Sequence, residues 1–187
     1  MPQHSDNHRA WVDTWLDKTN TPSWAPPGYV CPFCELADGD PSDVDNLCEL
    51  SDLVYKDQDV MAFIACDGFG PEPGHAMIVP TQHYESLYTL PPKVQTAIMN
   101  LAQELAFAMK LAWDPEGVST RQHNEPAGNQ HVWHYHLHVF PRYGHDNLYR
   151  QIRQRLPVMF RAQKARELTA ALREVQDSKR EFETGVG

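Results

Sequence analysis

The clearest periodicity in the chain lies between Pro91 and Asp114, where Val94, Ile98, Leu101, Leu105 and Met109 recur at helical spacing. Pro91-Pro92 opens this helix, since proline in the first turn gives up no hydrogen bond, and Asp114-Pro115-Glu116-Gly117 closes it. Shorter apolar runs read as strands. Leu53-Val54-Tyr55 and Val60-Met61-Ala62-Phe63-Ile64 flank Lys56-Asp57-Gln58-Asp59, a hairpin turn. The Gly- and Pro-rich stretch from Gly68 to Gly74 leads into a strand over His75–Pro80. A last strand is expected over His131–Phe140, stopped by Pro141. Residues 146–183 have helical character, interrupted at Pro157.

The first 30 residues read as an appendage. His8 to Lys18 predicts a short amphipathic helix with Trp11, Trp15 and Leu16 on one side and Asp6 as its cap, after which Pro22, Pro26, Pro27 and Gly28 break regular structure. The order helix, strands, long helix, strands, helix predicts an α+β domain around an antiparallel sheet. The expected division is an N-terminal extension over 1–28, a core domain over 29–145 and a C-terminal helical extension over 146–187 packed on it. No internal repeat is visible.

In a strand, alternate side chains share a face. That rule places Val132, His134, His136, His138 and Phe140 on one side of the last strand, and His131, Trp133, Tyr135, Leu137 and Val139 on the other. The second group is largely apolar and would bury well. Three successive imidazoles on the first face have no packing logic, because each would need its own partner if buried. Rising about 3.3 Å per residue, His134 and His138 stand about 13 Å apart along the backbone, too far for all three rings to close on one ion. A division of labour follows, with one end of the run serving a metal and the rest doing chemistry. Imidazole is largely neutral near pH 7 and a good nucleophile. Its attack on phosphorus would split a hard displacement into two easier ones, a second imidazole assisting the leaving group. The polar loop Asn124-Glu125-Pro126-Ala127-Gly128-Asn129-Gln130, which contains Gly128, could hold phosphate oxygens through backbone N–H groups.

Composition narrows the field. The 187 residues carry a net charge of −9, which argues against a general nucleic-acid binder. The charge is uneven: residues 1–141 hold 6 of 16 basic and 19 of 25 acidic residues, whereas residues 142–187 hold 10 basic and 6 acidic. The basic segment beside the histidines could attract a phosphorylated ligand, although most of its charges read as a solvated helix face. No run is long enough to span a membrane, and the N-terminus lacks a basic region and an apolar signal core, so a cytoplasmic location is expected. Four cysteines without an export signal do not suggest a disulfide framework. Cys31-Pro32-Phe33-Cys34 reads as a metal knuckle or a redox pair, and Cys48 and Cys66 as buried thiols.

The segment His134-Tyr135-His136-Leu137-His138-Val139-Phe140 resembles the histidine-triad (HIT) motif, three histidines alternating with apolar residues and two apolar residues following. Pro73-Gly74-His75-Ala76-Met77-Ile78-Val79-Pro80-Thr81-Gln82-His83 resembles the family's strand ending in proline with a histidine nearby. Ala127-Gly128 and Gln130 are similar to the Ala-Gly-Gln before the triad, with one additional residue, Asn129, between them; Pro141-Arg142 matches a frequent sequel. The likeness spans about residues 29–145. It implies a five-stranded antiparallel sheet with helices, paired in a homodimer as one ten-stranded sheet. It further implies His136 as nucleophile, His138 as phosphate contact and leaving-group aid, Gln130 as a hydrogen-bonding contact near the scissile phosphate, Asn124 as a phosphate or ribose contact, and Asp67 as a ribose-binding acid. Because His138 stands where galactose-1-phosphate uridylyltransferase-like members carry glutamine, the resemblance favours cleavage of a nucleoside phosphoramidate or dinucleoside polyphosphate. Phosphate could replace water as the acceptor.

The knuckle followed by two distant histidines fits four-coordinate zinc. The resemblance completes the set as Cys31, Cys34, His83 and His134, closed and therefore structural, with His75 the substitute for His83 if it does not simply face the surface. Two other classes remain: a metal-dependent hydrolase using His134 and His136 as zinc ligands, and a non-catalytic nucleotide-binding regulator.

Overall fold

The computed structural model describes residues 5–16, 22–43, 45–70 and 74–185, with side chains from residue 10 onward. Lys18 and Pro73, which enter the expectations above, lie outside them. The chain forms helix α1 (Ser5–Leu16), helix α2 (Pro32–Asp38), strands β1 (Leu53–Lys56), β2 (Val60–Ile64), β3 (Asp67–Phe69) and β4 (Ala76–Pro80), helix α3 (Pro92–Trp113), strands β5 (Gly117–Gln122), β6 (Leu137–Arg142) and β7 (Arg153–Arg155), and helix α4 (Val158–Thr184). Five strands make an antiparallel sheet in the order β1-β2-β4-β6-β5, and β3 pairs with β7 in a second, two-stranded sheet. The α+β architecture expected from the sequence is present.

Alternation along the strands divides the interior in two. Val60, Ala62 and Ile64 of β2, Ala76 and Ile78 of β4, and Leu137 and Val139 of β6 face α3 and α4. They meet Val94, Ile98, Leu101, Leu105 and Met109 of α3, and Ala165, Leu168, Ala171 and Leu172 of α4. Each fully buried aliphatic side chain contributes about 1.5–3 kcal/mol. The opposite face, carrying Met61, Phe63, Met77 and Val79, is covered by Phe33, Leu36 and Ala37 of α2. Helix α2 was not apparent from the sequence; it starts at Pro32 and ends with Gly39 in the left-handed conformation, φ 83°.

Three expectations change. The histidine strand is shorter at its start and longer at its end, running from Leu137 through Pro141 to Arg142, while 131–136 is irregular. The β4–β6 ladder ends at Ile78↔Leu137. Two residues farther along β4, Pro80 has no N–H to give, and its carbonyl accepts instead from His134 Nε2 at 2.9 Å. Past Val139, β6 is paired only with β5, and there proline is tolerated. Second, Pro157 begins α4 rather than interrupting a helix, and 146–156 contains β7. Third, α1 starts at Ser5, so Asp6 lies inside it, and only part of the expected apolar side packs. Trp15 is buried against Tyr88, ring centroids 4.5 Å apart, and Trp11 meets Tyr88 edge-on, whereas Leu16 is exposed.

One buried ion pair ties α4 to the turn just before β1. Arg161 meets Asp52 at 3.1 Å, both almost wholly buried, and burial lifts the Asp52 carboxyl to about 6. Among the described residues no helix is long and apolar enough to cross a membrane.

Candidate active site

Because Tyr135, Leu137 and Val139 sink into the α3–α4 core, His134, His136 and His138 face the α2 side. Each ring is then fixed by a different acceptor or donor. His134 donates from Nε2 to the Pro80 carbonyl, which leaves its Nδ1 lone pair facing Cys31 Sγ at 3.3 Å and Cys34 Sγ at 3.7 Å. His136 Nδ1 lies 2.8 Å from the His134 carbonyl oxygen. A carbonyl can only accept, so Nδ1 carries the proton and Nε2 keeps its lone pair. His138 Nδ1 lies 2.9 Å from His75 Nε2. His75, read from the sequence as a surface residue or a spare ligand, is instead buried and stacked on Phe140 with centroids 4.2 Å apart.

Cys31, Cys34, His83 and His134 converge, their ligand atoms all within 4.8 Å of one another. Zn–S bonds of about 2.3 Å and Zn–N bonds of about 2.0 Å in a tetrahedron put neighbouring donors about 3.4–3.8 Å apart. The separations of 3.3 and 3.7 Å above, and 3.4 Å between Cys34 Sγ and His83 Nδ1, match those edges closely. The His134–Pro80 bond supplies the outer partner that orients a metal-binding imidazole. The donor set is therefore compatible with zinc. His75, bonded to His138, is not part of it.

A cavity of about 560 Å³ opens beside the histidines, within the usual size of a small-ligand site. His136, His138 and Asp67 border it, as does an apolar wall including Phe33, Leu47, Ala65 and Val132. Asn124, Gly128 and Gln130 do not line it. Asn124 Oδ1 accepts from the Leu87 N–H, and its Nδ2 donates to Gln122. Gln130 accepts from the Glu125 N–H and donates to the carbonyls of Glu85 and Val132. The expected cradle of loop N–H groups is also turned inward, those of Gly128 and Gln130 bonding to Glu125 O and that of Asn129 to Pro126 O. A Cβ at position 128 would stand 2.0 Å from Asn124 O, so the loop closes only around glycine.

Cations occupy the place foreseen for those amides. These are Arg121, Arg153 and Arg155, and His123 lines the cavity beside them. Arg153 and Arg155 were visible only as part of the basic segment; both meet Asp67, at 3.4 and 2.6 Å. Arg121 had no sequence signal, because β5 was not recognised and its register opposite His138 is a tertiary fact. Burial, then the charge of Arg121, holds His75 at about 3, and burial with neighbouring His75 holds His138 well below the ordinary histidine range. His136 is lowered to about 4, first by burial. All three rings are neutral at pH 7.

The HIT domain family model matches residues 49–145. The chain belongs to the HIT family. It is 31% identical over 114 residues to Protein hit of Bacillus subtilis (strain 168), covering 61% of this chain and 72% of that one. It is 26% identical over 119 residues to Adenylylsulfatase HINT3 of Arabidopsis thaliana, covering 64% of this chain and 55% of that one. The crystal structure of a zinc-bound histidine triad family protein from Mycobacterium smegmatis superposes with a TM-score of 0.65 at 26% identity, covering 79% of this chain and 96% of that one. The family includes nucleotide hydrolases.

The neutral buried histidines set a direction for stability. Between the unfolded value near 6.5 and the lower folded one, the unfolded chain binds protons that the folded chain refuses, so stability is full above 6.5 and falls on acidification. His75 alone should cost about 1.4 kcal/mol for each pH unit well below 6.5. Urea midpoints of the wild type and His75→Gln, taken from pH 7.5 to 5.0, should therefore converge as pH falls. Parallel curves would show that His75 is not held neutral by the fold.

Proposed function

We propose that the protein cleaves a phosphoanhydride or phosphoramidate bond of a nucleotide through a covalent nucleotidyl-histidine at His136. The hydrogen bond from His136 Nδ1 to the His134 carbonyl carries this reading, because it commits the lone pair of Nε2 to attack. His136 Nε2 forms a bond to the α-phosphorus while the bond to the leaving group breaks, the leaving group keeping the electron pair. With His75 donating from Nε2, His138 keeps its proton on Nε2 and steadies the negative charge of the departing atom by a hydrogen bond. Water then attacks the phosphorus and loses a proton to solvent as the P–N bond breaks, its electron pair returning to His136 Nε2 and the nucleotide being released. The base is assigned to the wall of Phe33, Leu47 and Ala65, and the ribose to Asp67. Gln130, Asn124 and Gly128 are assigned to shaping the loop beside the phosphate, because their polar atoms are committed within the protein.

Zinc is assigned to Cys31, Cys34, His83 and His134, where it would tie α2 to the end of β4 and the start of the triad. All four positions are taken by protein donors, so its role is structural. The orientation of His134 toward the thiols speaks against a catalytic ion shared by His134 and His136. A homodimer is assigned through β5, an outer strand of the sheet, next to a helix α3 that leaves Met99, Phe107 and Leu111 exposed.

His136→Asn should reduce turnover of diadenosine triphosphate and adenosine phosphoramidate by at least about 10⁴-fold while nucleotide affinity changes less than about 10-fold; unaltered turnover would end the proposal. Elemental analysis should find one zinc per chain, and none in Cys31→Ser, whose melting temperature should drop; a metal-free native protein refutes the zinc assignment. Light scattering should give twice the 21.4 kDa chain mass, reduced to one by Phe107→Glu, and a monomeric wild type removes the dimer.

A further inference from the structure

Among the described residues Arg121 is a cation without a counter-ion. Its Nε is buried with no hydrogen-bond partner, and among the described residues no carboxylate lies within salt-bridge distance of it. Asp67, the cavity acid closest in kind, is held by Arg153 and Arg155. The flat faces of two rings fix the guanidinium instead, with Phe140 at 4.9 Å and Phe69 at 5.5 Å from its carbon. Stacking of this kind holds the plane and leaves the N–H edge for a planar or tetrahedral oxyanion. Arg121 as a whole is half-buried, so its charge faces the cavity while one donor is shut off from water, an arrangement that an anionic ligand in the cavity would complete.

Its place in the sheet says which part of a ligand it would meet. The strand order β2-β4-β6-β5 puts Ala65 and Cys66, just past β2, on one flank of the histidines and Arg121 of β5 on the other. Arg121 is the cross-strand partner of His138, and the rings of His136 and His138 are 5.1 Å apart. A nucleotide with its base against Phe33, Leu47 and Ala65 and its α-phosphorus at His136 would extend its far end past His138 toward Arg121.

We infer that Arg121 is the residue that selects the leaving group, gripping an anionic phosphate beyond the scissile bond, so that the preferred substrates are nucleoside polyphosphates rather than phosphoramidates with a neutral amine. This rests on the reading of His136 as nucleophile. As the bond between the α-phosphorus and the bridging oxygen breaks, the electron pair stays on that oxygen, and Arg121 holds the oxyanion that departs. An amine leaving group offers it no negative oxygen.

Arg121→Met and Arg121→Gln should lower kcat/KM for diadenosine triphosphate by about 30-fold or more, and that for adenosine phosphoramidate by less than about 3-fold. Equal losses on both substrates, or no loss on either, overturn the assignment. A second measurement separates it from the fate of the nucleophile. In a His136→Asn background, which blocks turnover, calorimetry should find adenosine 5′-diphosphate bound about 10-fold more tightly than the monophosphate, and addition of Arg121→Met should erase the difference. Equal affinities before that substitution overturn the role of Arg121. If neither substrate is turned over by the wild type, the His136 reading fails, and the binding comparison still decides Arg121.

Discussion

The constraint on which the site depends is the burial of Tyr135, Leu137 and Val139 beneath α3 and α4. Once those three side chains enter the core, His136 and His138 between them turn to the opposite face, where His134, held by the Pro80 carbonyl, joins them. A shift of one residue in register would send imidazoles into the apolar interior and expose the aliphatic set, an exchange the core would not tolerate. The site is therefore held by the same packing energy that holds the fold.

The three rings that emerge are chemically different because their surroundings are. Pro80 ends the β4 ladder and lends its carbonyl to His134, which turns that ring's free nitrogen toward two thiols. The His134 carbonyl in turn fixes the tautomer of His136. His75, one residue before β4, holds the ring of His138 through its Nδ1. Helix α2 then closes over the result, Phe33 lying edge-on to both His134 and His136. A backbone carbonyl thus links the thiol-facing end of the run to His136.

Electrostatics runs against the overall balance of the chain. A molecule of net charge −9 places Arg121, Arg153 and Arg155 around one cavity. Two of these come from β7, a three-residue strand with little propensity of its own, held against β3 by the ion pairs to Asp67. The C-terminal segment thereby contributes directly to the cavity wall as well as to the core.

The sequence by itself determined the periodic elements and the face on which the histidines lie. Helix α3, strands β1, β2 and β4, and the inward set Tyr135, Leu137 and Val139 were legible because each depends on local spacing and burial. The convergence of Cys31, Cys34, His83 and His134 was reached through resemblance, and spacing alone could not have closed it. Only the tertiary structure decided the partners. The inward-turned amides of the Gly128 loop, the bond from His75 to His138, the true ends of β6, and the cation Arg121 opposite His138 all arise between residues distant in the chain. Propensity reports what a segment prefers alone, whereas these features come from groups that meet only after the sheet has assembled.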